Sequence, residues 1–215
     1  MISVNRLRRL KISKRIPLTY PPGEQHPVSE SAGRGKQAEQ IIMGSHVRER
    51  LSEDHDAVAE VLAQVLTALE NKDVQASYAR LDLLWARLAV HIRAEHLHLF
   101  PAIAPRVNGA QPAIDRLRAD HDFFMRELAL SIAILRELPP QITAGDDAKL
   151  TGVAAAVREV ENRLATHNEL EENQIYRWSS TILTEPEQID LLARINAELE
   201  HRPPRFLAGA WKNRK

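Results

Sequence analysis

Residues 81–101 read LDLLWARLAVHIRAEHLHLFP. Leu81, Leu84, Leu88, Ile92 and Leu99 recur mostly at the three- and four-residue spacing of one helical face. His91 follows Leu88 by three positions and Glu95 follows His91 by four, so an imidazole and a carboxylate stand on the stripe that the pattern reserves for the core. On a helix, residues four apart are neighbours, with β-carbons roughly 5–6 Å apart. The pair can therefore reach into one site. It is repeated as His167-Asn-Glu-Leu-Glu171, which follows Leu164 by three.

Three further segments carry the same helical period. Val58, Leu62, Val65 and Leu69 form the first, with His55 three residues ahead of Val58. Ile114, Leu117, Phe124, Leu128, Ile132 and Leu135 form another, with His121 between Leu117 and Phe124. Val153, Val157, Val160 and Leu164 lead into His167. Short connections near 71–74, 102–111 and 139–147 predict antiparallel neighbours. The expected fold is all-α: an up-down-up-down four-helix bundle over 46–178. A short extra helix through Ile189, Leu192 and Ile195 and a basic tail fill 179–215, and 1–45 reads as a disordered basic tail.

Composition narrows the chemistry. The chain has 215 residues, 44% hydrophobic and only 5% aromatic, and it has no cysteine. Thiol catalysis, disulfides, zinc ribbons and iron–sulfur clusters are therefore excluded. The overall charge of zero hides a polarity: residues 1–45 hold eight Lys/Arg against three Asp/Glu, and 201–215 hold five basic residues and no acidic one. The body, 46–200, is left with sixteen basic and twenty-six acidic residues. Such an acidic body disfavours nucleic acid as a partner. No apolar run approaches the roughly 20 residues that span a bilayer. The N-terminal stretch is basic and acid-poor, as organelle transit peptides are, but lacks the apolar segment of a secretory signal. The expectation is a cytoplasmic protein, and Met43 also allows translation to start just ahead of the first helix.

His55 and His121 fall toward the N-terminal ends of their helices, His91 and His167 toward the C-terminal ends of theirs. In an antiparallel bundle these ends meet at one depth. Without a cation, Glu95 and Glu171 would be buried carboxylates with no Lys or Arg on the stripes, a costly arrangement. The candidate ligands are therefore His55, His91, Glu95, His121, His167 and Glu171. Imidazole and carboxylate without sulfur suit iron, manganese or zinc. Two carboxylates among four imidazoles suit two ions bridged by the glutamates, with iron favoured for oxygen chemistry.

Asp54–His55, His91-Ile-Arg-Ala-Glu95, Leu99-Phe100-Pro101, Asp120–His121 and His167-Asn-Glu-Leu-Glu171 together resemble the hemerythrin family, specifically its hemerythrin-like HHE cation-binding domains, over about 46–178. The resemblance implies a di-iron centre, with the matching histidines as ligands and the matching glutamates as bridges. Two departures stand out. Met125 occupies the position where oxygen carriers of the family have a second histidine on the third helix, and Glu171 stands where they have a differently spaced aspartate. Both favour gas sensing, redox chemistry or iron handling over reversible carriage. The expected partner is a small ligand such as oxygen or nitric oxide. The alternatives are a redox or repair enzyme acting on nitric oxide or peroxide, and an iron-responsive regulatory module. Whether the chain is an enzyme is left open, because no general base or cofactor loop is legible.

Around this core set, His96 is expected at the edge of the site and His98 in an outer or surface role. Glu172 is expected to point sideways. Asp54 and Asp120, each beside a ligand, are expected on a solvated face, since adjacent helical positions diverge by about 100°. Leu88, Phe124, Met125 and Leu164 read as apolar walls, and Trp85 and Trp178 as packing residues.

Overall fold

The computed structural model describes residues 32–201, and for 32–46 the backbone alone. Among the described residues the chain forms helical rods and no strand. α1 spans Ala32–Glu70 and α2 spans Val74–Ala94. α3 spans Gln111–Glu137, α4 spans Ala144–Leu170 and α5 spans Glu185–Leu199. α1 packs on α2, α2 on α3, α3 on α4, and α4 back on α1, which closes the four-helix ring. Every apolar residue assigned to the four stripes is buried.

Local chemistry sets the helix boundaries. Asp73 caps α2 by accepting the Ala76 amide at 2.9 Å. The preceding turn takes Lys72 to a left-handed φ of 55°. Thr143 with Asp146 starts α4, and Thr184 with Glu187 starts α5, each through reciprocal side-chain bonds to backbone amides. Gly109, at φ 81°, turns the chain before α3, where Pro112 needs no amide partner in the first turn.

The backbone of α1 is helical from Ala32, within the stretch expected as a tail; between Lys36 and Met43 lie good helix formers and no proline. Residues 1–31 and 202–215 lie outside the described residues. The fifth helix exists, but its buried face is Gln188, Leu191, Ile195 and Leu199, while Ile189 is 49% exposed. Gln188 takes the inner position because its amide donates to the Leu183 carbonyl at 2.8 Å.

The buried apolar residues fall into two clusters. The first fills the body of the bundle, from Val58 to Leu69 on α1 and from Val153 to Leu164 on α4. The second, at the other end, joins Val47, Leu51, Phe100, Ile114 and Ile175 to Leu191 and Ile195 of α5. α5 thus covers the end of the bundle where the histidines lie. No helix among the described residues is long and apolar enough to cross a membrane. Leu84, fully buried in the first cluster, should cost about 2–5 kcal/mol when replaced by alanine. Chemical denaturation of the metal-free chain measures it.

Candidate metal centre

Between the two clusters lies a polar layer. His55, His91, Glu95, His121, His167 and Glu171 are all buried, and both glutamates have no exposed surface. One donor atom each from His55, His91 and Glu171 lie within 4.8 Å of one another, and the same holds for His121, His167 and Glu171. Glu171 is common to both groups. Its Oε2 lies 3.2 Å from His55 Nε2 and its Oε1 lies 3.0 Å from His167 Nε2. Glu95 spans the layer in the same sense, with Oε1 3.5 Å from His91 Nε2 and Oε2 3.3 Å from His121 Nε2. The structure brings all six predicted residues together.

Each imidazole has its other nitrogen occupied. His91 Nδ1 is 3.0 Å from Asp54 Oδ2, and His167 Nδ1 is 3.3 Å from Asp120 Oδ2. Arg87 donates to Asp54 at 2.8 Å, and Arg163 Nε donates to Asp120 at 2.6 Å. His55 Nδ1 lies 3.0 Å from Glu172 Oε1, and His121 Nδ1 lies 2.9 Å from His96 Nε2. Carboxylates at Nδ1 fix that nitrogen as the donor, so Nε2 is the nitrogen of His55, His91 and His167 that is left for the centre of the layer.

These contacts correct three expectations. Asp54 and Asp120 are buried, not solvated. Each serves the histidine of the neighbouring helix instead of the one beside it in sequence, so the 100° divergence carries it toward α2 or α4. Glu172 turns inward to His55. His96 does sit at the edge, and His98 is half-buried outside the layer. Met125 packs against the body cluster, and Phe124 meets the His167 ring edge-on at 5.2 Å. Replacing Asp54 or Asp120 by asparagine should weaken metal binding by about 10–100-fold with the helical content unchanged. Metal titration beside a far-UV spectrum checks this.

Tyr176 is a member of the layer that the sequence reading did not include. It is fully buried, and its hydroxyl lies 2.9 Å from Glu95 Oε1, 3.1 Å from Glu171 Oε2 and 3.0 Å from His55 Nε2. Its position follows from a change in helical winding. Residues Glu95–Leu99 and Glu171–Ile175 are single π-helical turns, in which the amides of Phe100 and Tyr176 bond to the carbonyls of Glu95 and Glu171 five residues back. Each extra residue brings the next aromatic onto the ligand face. Phe100 stacks on His121 at 6.2 Å, and Tyr176 stacks on His55 at 5.7 Å. The centre is thus a repeat: Arg87, His91, Glu95 and Phe100 match Arg163, His167, Glu171 and Tyr176 in spacing.

Electrostatics test whether cations fit. Burial alone would lower the His91 pKa, but the charge of Glu95 and the bond to Asp54 raise it to about 10. Burial likewise opposes His121, whose bonds to Glu171 and Glu95 raise it to about 9. Burial would raise Glu171, yet His167, His121 and His55 draw it well below the usual range. Burial and the nearby charges of Glu171 and Glu95 push the Tyr176 phenol well up. His91 Nε2, Glu95 Oε2 and Glu171 Oε1 are buried without an aligned hydrogen bond among the described residues. His121 Nε2 and His167 Nε2 stand 2.9 Å apart. Donor atoms that converge at close range without hydrogen-bond alignment suit ligands around a shared cation. In the metal-free chain, protons on His91 and His121 neutralise the carboxylates.

An antiparallel helix bundle that gathers imidazoles and carboxylates into one dry layer is a cation-binding bundle. The family model for the hemerythrin HHE cation binding domain matches residues 46–179, and the chain belongs to that family. No curated protein and no solved structure matches it.

Proposed function

We propose that this chain binds two iron ions between its helices and uses them to bind or sense oxygen or a related small ligand such as nitric oxide. The observation that carries the reading is the pair of three-residue groups sharing Glu171. His55 and His91 would hold one ion, His121 and His167 the other, and Glu95 and Glu171 would bridge. Iron supplies an exchangeable coordination position and one-electron redox chemistry, and the oxygen and nitrogen donors suit it.

The chain's own residues do the rest. Asp54, Asp120 and Glu172 hold their imidazoles in the tautomer with Nε2 free, and Arg87 and Arg163 hold the two aspartates in place. Phe124, Leu88 and Leu164 on one side, and Phe100, Leu51 and α5 on the other, keep bulk water from the layer. A site this enclosed favours small diatomic ligands over larger substrates.

The test is to load the chain anaerobically with Fe(II) and then admit oxygen or nitric oxide. A change in the visible spectrum that the metal-free chain does not show supports the reading. An iron-loaded chain whose spectrum responds to neither gas contradicts it.

A further inference from the structure

We infer that Tyr176 is itself a metal ligand, through its phenol oxygen, to the ion held by His55 and His91; this rests on the di-iron reading and makes the two metal positions chemically unequal. Cis donors at about 2.0–2.2 Å from one octahedral ion lie about 2.8–3.1 Å apart. Tyr176 Oη meets that spacing to three candidate ligands at once: 2.9 Å to Glu95 Oε1, 3.1 Å to Glu171 Oε2 and 3.0 Å to His55 Nε2. A hydroxyl has one proton and can donate to only one of the two carboxylate oxygens. As a hydrogen-bonding group alone it would leave the other carboxylate oxygen close and unmatched. As a ligand it satisfies all three distances, and its proton passes to solvent when the oxygen binds.

The internal repeat supplies the second argument. The equivalent position in the other half is Phe100, whose ring stacks on His121 as that of Tyr176 stacks on His55. Ring packing is thus common to both halves, while the oxygen belongs to one. The His55 ion would have His55, His91, Glu95, Glu171 and Tyr176 as donors. The ion of His121 and His167 would have one protein donor fewer. In octahedral coordination the ion on the His121 side would therefore keep one more open position for an external ligand than the ion on the His55 side.

Phenolate bound to Fe(III) gives a charge-transfer band in the visible range and resonance-enhanced phenolate ring vibrations. The full chain is loaded with Fe(II), oxidised with ferricyanide, and its ferric state confirmed by Mössbauer spectroscopy. The wild-type chain should show the band and the ring modes. Tyr176→Phe, which keeps the ring, should lose both from the ferric iron it retains, with its helical signal unchanged. Phe100→Leu should keep the band. A ferric wild-type chain without phenolate modes, or modes that survive in Tyr176→Phe, overturns tyrosine ligation and leaves the di-iron reading standing. A chain that takes up no iron overturns both.

Discussion

Replacing Glu171 by alanine should leave the chain unable to retain either metal ion, whereas His167→Ala should cost it one. Glu171 is the donor common to both groups, with one carboxylate oxygen toward His55 and the other toward His167. Its removal takes a ligand from each position and also the counter-charge that makes two adjacent cations tolerable. His167 serves one position only. Metal analysis after desalting should therefore give almost no bound iron for Glu171→Ala and about half the wild-type content for His167→Ala. The metal-free Glu171 variant should also lose about 3–5 kcal/mol of stability, the usual cost of breaking a buried ionic cluster from one side. Equal metal loss in the two variants would mean that Glu171 is not shared.

The second large effect is on pH. In the metal-free chain the His91 pKa is raised to about 10 and that of His121 to about 9, both from 6.5. A histidine whose folded pKa is raised contributes stability that is complete below its unfolded pKa and is lost as pH rises through the folded value. The metal-free chain should therefore become less stable between about pH 6.5 and about pH 10. Glu171 and Glu95 are shifted the other way, and their contribution is lost as pH falls below the ordinary carboxylate range. A metal-loaded chain should behave differently, because bound imidazole is neutral and the ions replace the protons. Its melting temperature should hold through that alkaline window and fall on the acid side. Loading near neutral pH should release the protons of His91 and His121. Apparent affinity should therefore rise about tenfold per pH unit for each displaced proton, below about pH 9. Thermal melts across pH with and without metal, and proton release in weak buffer, measure both effects.

The bundle was legible because its four apolar stripes keep the helical period almost without interruption, and the six candidate ligands because they sit on those stripes. What escaped had physical reasons. Asp54 and Asp120 look solvated when their own helix is considered alone, and only the packing of α1 against α2 and of α3 against α4 brings them to His91 and His167. Arg87 and Arg163, four residues before those histidines, were the available sign, since each needs a carboxylate partner. Tyr176 escaped because a strict period of 3.6 does not carry position 176 onto the face of Glu171. The π turn does, and the spacing Glu95 to Phe100, repeated from Glu171 to Tyr176, is its trace in the sequence. The buried face of α5 was missed because a glutamine occupies an inner position and an isoleucine an outer one.

The proposed centre is a dinuclear site built from both halves of the bundle. Anaerobic titration of the full chain with Fe(II), followed by desalting and metal analysis, tests it most directly. The expected result is saturation at two ions per chain, with His91→Ala combined with His167→Ala abolishing uptake. Saturation at one ion, no retained metal, or a double variant that binds as the wild type does would contradict it.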